Sequence, residues 1–151
     1  MTLRYREIEK AARTLKVDVQ PLGVREPDDF AGAFSAMTRR RPDAMFVVAD
    51  ALTVMNRKQL IEFAVTRRIP GMYEFSLLVR DGGLMSYGAR PEEDFRRAAH
   101  YIDRIFKGAK PADLPAEQPT RYYLTVNLKT AATLGLAMPP SLLLQANDVI
   151  Q

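Results

Sequence analysis

Ala44-Met45-Phe46-Val47-Val48-Ala49-Asp50 is the stretch that decides the fold. It is short, continuous and apolar, the pattern of a strand covered on both faces, and it closes on an acid. A different period follows. From Thr53 to Arg67 the apolar residues Val54, Leu60, Ile61, Phe63 and Ala64 fall at helical spacing. Arg67-Arg68-Ile69-Pro70-Gly71 then breaks the helix before a second strand-like block, Met72-Tyr73-Glu74-Phe75. Parallel neighbours in a sheet need a crossover between them, usually a helix, so this alternation predicts βαβ units.

The same alternation extends outward in both directions. Upstream, Leu3, Ile8, Ala11, Ala12 and Leu15 mark an amphipathic helix over 3–15. Val17-Asp18-Val19-Gln20-Pro21-Leu22 alternates like a strand, and Glu26-Pro27-Asp28-Asp29 opens a helix carrying Phe30, Phe34 and Met37. Downstream, a short helix over 76–80, a turn at Asp81-Gly82-Gly83 and a strand over 84–88 are expected. Pro91-Glu92-Glu93-Asp94 then opens a helix whose Phe95, Ala98, Ala99, Ile102, Ile105 and Phe106 form one apolar face. Residues 121–127 alternate as a strand, 128–134 read as a short helix, and a proline-punctuated tail follows from Met138. The fold class is therefore α/β: a mostly parallel sheet between helical layers, in three-layer αβα form.

Composition agrees with one globular domain over 1–151, since 47% of the 151 residues are apolar and 26% charged. No window reaches the roughly 18 uncharged apolar residues that a spanning helix needs. The charged start, Met-Thr-Leu-Arg-Tyr-Arg-Glu, lacks the apolar run of a signal peptide. With no cysteine, disulfides, thiol nucleophiles and thiolate metal sites are excluded. The net charge of +4 rests on 22 basic against 18 acidic residues, and its densest run, Arg39-Arg40-Arg41, fits a solvated helix end. No zinc-finger spacing or RNA-binding aromatic signature joins it, so no nucleic-acid partner is expected.

Chemistry-bearing patterns are few. The single histidine, His100, sits among helical neighbours and reads as a helix-surface residue, far short of a metal-ligand set. No nucleophile elbow accompanies it, and Gly82-Gly83 lacks the spacing and lysine of a phosphate loop. No enzyme activity and no cofactor are expected. In open α/β sheets ligands approach the carboxyl ends of parallel strands, which here are Asp50 and the group Tyr73, Glu74, Phe75 and Ser76. An acid there can take a ligand ammonium and an aromatic can stack on an apolar portion. Asp50 fits an N-cap equally well, and Tyr73 and Phe75 also fit a sheet-end core. Tyr87, in the strand after Gly82-Gly83, is a further lining candidate, with packing as its alternative.

Several stretches, in order, carry a family resemblance. They include Pro42-Asp43-Ala44 leading to Asp50, Gly82-Gly83-Leu84-Met85-Ser86-Tyr87-Gly88, and Ile105-Phe106-Lys107-Gly108-Ala109-Lys110-Pro111-Ala112-Asp113-Leu114-Pro115. Glu117-Gln118-Pro119-Thr120, Val126-Asn127-Leu128-Lys129-Thr130-Ala131 and Pro139-Pro140-Ser141-Leu142-Leu143 continue it. Together they resemble the C-terminal half of ABC-transporter substrate-binding proteins, the family that includes tryptophan- and tyrosine-type binders. The resemblance implies a periplasmic-binding-protein-like lobe, with residues from about 84 to 120 crossing into a first lobe that this chain lacks. It implies a small-molecule ligand such as an amino acid or aromatic carboxylate, an ABC permease as partner, and a periplasmic location. It also leaves the Phe95–Phe106 helix without its usual cover, from which a homodimer is expected. A stand-alone α/β interaction or regulatory domain is the alternative.

Overall fold

The computed structural model describes residues 3–151, which form two compact units, one ending at Arg39 and one spanning Arg40–Gln151. The first unit carries two helices, α1 (Leu3–Leu15) and α2 (Asp29–Arg39). Both lie where the apolar periodicity puts them. Asp29 Oδ2 accepts from the N–H groups of Arg25 and Glu26, which fixes the chain entering α2, and Phe30 packs against Phe34 at 6.0 Å between ring centroids.

The expected strand over Val17–Leu22 is not formed. A strand's main-chain groups need a neighbour, and among the described residues no strand pairs with this segment; Pro21 removes one of its donors besides. Val17 instead donates its N–H to Ala12 O at 2.9 Å and closes α1, with Lys16 in the left-handed conformation at φ 54°.

The second unit holds the sheet. Its elements in chain order are β1 (Met45–Val47), α3 (Ala51–Met55), α4 (Arg57–Thr66), β2 (Gly71–Tyr73), α5 (Ser76–Arg80), β3 (Met85–Gly88) and α6 (Pro91–Phe106). A 3₁₀ turn at Pro111–Asp113 leads to β4 (Tyr123–Asn127), α7 (Leu128–Leu134), α8 (Pro140–Leu143) and β5 (Asp148–Ile150). The strands lie in the order β1-β2-β3-β4-β5. β1, β2 and β3 run parallel, β4 is antiparallel to β3, and β5 is parallel to β4. This is the mostly parallel α/β sheet flanked by helices that the alternation predicts.

Three local readings are corrected. The single helix expected over Thr53–Arg67 is two, meeting at Asn56, whose φ −98° and ψ 14° depart from helical values although its N–H still donates to Leu52 O at 3.0 Å. β1 is an edge strand with Phe46 exposed, so its apolar run is not covered on both faces. The proline-punctuated tail contains a strand, β5, that its mixed wording conceals.

The core of this unit gathers Leu60, Ile61 and Ala64 of α4 with Leu78 and Val79 of α5, Leu84, Val126 and Ala131. α5 ends in a tight turn in which Gly82 takes φ 111° and Gly83 donates to Leu78 O at 2.8 Å. Asn127 ties the layers together. Its Nδ2 donates to Val79 O at 3.1 Å while its Oδ1 accepts from Thr130 N–H and caps α7.

Candidate functional site

Because β4 runs against the first three strands, one edge of the sheet collects the ends of β1, β2 and β3 together with the starts of β4 and β5. The loop after β1 is held by a reciprocal capping box. Asp50 Oδ1 accepts from Thr53 N–H at 2.8 Å, and the Asp50 N–H donates to Thr53 Oγ1 at 2.9 Å. The N-cap role allowed for Asp50 is thus present, and the carboxylate remains exposed on the surface of that edge.

Glu74 joins the strand ends. Its Oε2 accepts from the Ala49 N–H at 2.8 Å, reaching from the end of β2 to the loop after β1. On the other side the main chain of β3 comes so near that a Cβ added to Gly88 would stand 2.0 Å from the Glu74 carbonyl oxygen. Only glycine fits there. Phe75 and Ser76, half-buried, follow at once as the N-cap and first residue of α5. The structure therefore brings Asp50, Glu74, Phe75 and Ser76 to one edge.

Tyr73 is placed differently. It is 1% exposed, and its ring runs back along its own strand over Gly71 and beside Gly83, where an added Cβ would meet it at 2.6 and 2.5 Å. Its hydroxyl has no hydrogen-bond partner among the described residues, and burial pushes its pKa up to about 12. The sheet-end core alternative is the one its packing fits. Tyr73, Ser86, Thr125 and Asp148 stand abreast across four strands, and Ser86 Oγ is likewise buried without a partner.

Tyr87 belongs to the open surface. It is 53% exposed and stacks on Tyr122, itself 56% exposed, with centroids 5.7 Å apart and planes 23° from parallel. An exposed pair of this kind offers a flat apolar face with two hydroxyl rims. Arg90 donates to Asp148 Oδ2 at 2.6 Å and lies over the Tyr123 ring at 4.0 Å, while the Tyr123 hydroxyl bonds to Glu93. This cluster ties the start of α6 to β4 and β5.

Sequence reasoning missed Tyr122, Tyr123, Arg90 and Asp148. Tyr122 and Tyr123 meet residues of β3 only through the antiparallel register, which pairs Gly88 with Tyr123 and Tyr87 with Leu124. The available signal was an arginine directly before the helix-opening Pro91, a position where a small polar cap is usual.

A conserved domain protein from Vibrio cholerae O1 biovar El Tor superposes with TM-score 0.88 at 19% identity, over 96% of this chain and 49% of that one. An ABC domain from Streptococcus pneumonia, solved in complex with L-Trp, gives TM-score 0.89 at 25% identity over 97% of this chain and 51% of that one. An open, ligand-free substrate binding protein with adhesive properties from Clostridium difficile gives 0.68 at 18% identity, over 99% and 50%. The chain spans about half the length of these solved structures. No curated protein sequence matches it. Among the described residues, no helix is long and apolar enough to cross a membrane. A family described as ABC transporter substrate binding protein matches residues 2–150, and the role of that family is binding, not catalysis. On a match of that extent, the chain belongs to the ABC transporter substrate-binding protein family.

Proposed function

We propose that this chain is the C-terminal lobe, with its crossover segment at about 84–120, of a binding protein for an ABC-type importer, and that it takes a small aromatic or apolar amino acid or aromatic carboxylate. The observation that carries the reading is the convergence of Asp50, Glu74, Phe75, Ser76 and the Tyr87–Tyr122 stack on one sheet edge, where α/β lobes receive ligands. In this reading Asp50 and Glu74 meet a ligand ammonium, Ser76 donates to a carboxylate, and Phe75 with the tyrosine pair flanks the apolar portion. Tyr73 supports the site from the core. The L-Trp complex of the pneumococcal relative supports an amino acid as ligand. An ABC permease, a periplasmic location and a homodimer complete the proposal.

A thermal-shift screen of the chain against aromatic amino acids, branched amino acids and aromatic carboxylates tests it, because a ligand bound only by the folded state raises the midpoint with dose. A second reading, a stand-alone α/β interaction domain, is favoured by one observation: α6 buries none of its residues. The absence of a shift with every class would favour that reading.

A further inference from the structure

Residues 89–122 leave the sheet and return to it at one place. Gly88 at the end of β3 is the register partner of Tyr123 at the start of β4, so two antiparallel strands form a neck from which α6 and the 3₁₀ turn extend. Beyond the neck, polar contacts close within the segment itself: Arg97 pairs with Glu117, and the Tyr101 hydroxyl bonds to Pro115 O at 2.7 Å and Glu117 Oε1 at 2.8 Å. α6 buries none of its residues. The segment is an arm, and its orientation is set at the neck.

The two faces of the neck carry different contacts. Side chains alternate along a strand, so Tyr122 and Tyr123 lie on opposite faces. On one face Tyr122 stacks on Tyr87. On the other, Arg90 of the arm lies over the Tyr123 ring and donates to Asp148 Oδ2, and Asp148 shares that face because it pairs with Thr125. The Tyr123 hydroxyl bonds to Glu93 in the first turn of α6. Arg90 and Glu93 thus tie the base of the arm to β4 and β5. A two-stranded neck keeps its ladder when it bends toward one face or the other, and bending toward the tyrosine face draws Arg90 away from Asp148. Arg90 Nε is buried with no partner among the described residues, so this contact is incompletely satisfied and open to exchange.

We propose that Arg90 is a latch: its bonds to Asp148 and the Tyr123 ring hold the arm back from the tyrosine face, and ligand seated on that face draws the arm toward it against the latch. The proposal rests on the crossover reading of residues 84–120 and gives it a positioning residue. A part-exposed ion pair and a cation–π contact each shift an equilibrium by about two- to fivefold, so together they favour the latched arm roughly tenfold. When ligand needs the released arm, its apparent affinity falls by the share of chains that are latched. Removing Arg90 should therefore tighten binding, whereas damage to the fold would weaken it.

The chain has no cysteine, so spin labels at His100→Cys on α6 and Lys129→Cys on α7, both exposed, report the arm's orientation by pulsed electron resonance without ligand. Wild type should give one narrow distance. In Arg90→Ala the share of spin pairs outside that distance should rise roughly tenfold, and in Asp148→Asn about two- to fivefold, with the far-UV circular dichroism kept. Saturating L-tryptophan should move wild type toward the same second distance, and Arg90→Ala should bind L-tryptophan up to roughly tenfold more tightly. Folded variants with the wild-type distance distribution would overturn the latch; if Arg90→Ala does not fold, the near-isosteric Asp148→Asn decides. Weaker binding of L-tryptophan by a folded Arg90→Ala would overturn its direction. Distances that respond to Arg90 in a chain that does not bind L-tryptophan would uphold the latch and count against the ligand reading alone.

Discussion

Gly88 and Glu74 are in main-chain contact: the Cα of one lies against the carbonyl of the other, with no space for a Cβ between them. The contact joins the ends of β2 and β3 at the edge where the candidate ligand groups gather. Since the obstacle is backbone and not the tip of a flexible side chain, a rotamer change cannot relieve it. Gly88→Ala should therefore destabilise the chain by at least about 2 kcal/mol, measured by urea unfolding.

The buried Tyr73 hydroxyl yields a test with a pH signature. Lacking a hydrogen-bond partner among the described residues, it carries an uncompensated desolvation cost, so Tyr73→Phe should leave stability at neutral pH unchanged or raise it by about 1 kcal/mol. Tyr73 is an acid whose folded pKa, about 12, lies above its ordinary value of 10. Below pH 10 both folded and unfolded forms keep the proton. Between 10 and 12 the unfolded chain releases it first, so stability falls with rising pH and levels above 12. Wild type should lose on the order of 2 kcal/mol more than Tyr73→Phe across that window, and equal losses would contradict the buried placement.

Asp50 has a cap role that the structure displays and a ligand role that is proposed, and two substitutions separate them. Asp50→Ala removes the acceptor for Thr53 N–H and should cost about 1 kcal/mol of stability. Asp50→Asn keeps an acceptor oxygen and removes the charge. Its stability should stay near wild type while the thermal shift given by an amino-acid ligand shrinks.

The tyrosine stack can be weighed by a double-mutant cycle. Tyr87→Ala and Tyr122→Ala together should cost less stability than the sum of the two singles, with a coupling of about 0.5–1.5 kcal/mol for an aromatic pair. Each single variant should also weaken the ligand-induced shift. Coupling without any effect on ligand would confine the pair to a structural role.

The legible parts of the fold were those written in local periodicity. α1, α5 and α7 span the residues expected of them, and Pro91 with three acids announces α6. What the sequence concealed depends on neighbours. Val17–Leu22 has the alternation of a strand and no strand beside it, whereas Asp148–Ile150 has an unremarkable pattern and becomes a strand because β4 offers an edge. The candidate site divides in the same way. Asp50 and the 73–76 group follow from the rule that ligands meet strand ends, but the direction of the Tyr73 ring is set by the absence of side chains at Gly71 and Gly83, and Tyr122 reaches Tyr87 only through the register.

Amino-acid binding at this sheet edge is open to one direct measurement. The chain contains no tryptophan, so the fluorescence anisotropy of added L-tryptophan, excited beyond the tyrosine band, reports only the ligand. Titrating L-tryptophan with increasing chain should give a saturable rise in anisotropy. Glu74→Gln, which keeps an acceptor for Ala49 N–H and loses the charge, should weaken it roughly tenfold. Anisotropy that stays flat, or a rise that Glu74→Gln leaves untouched, would contradict amino-acid binding through Glu74 at this edge.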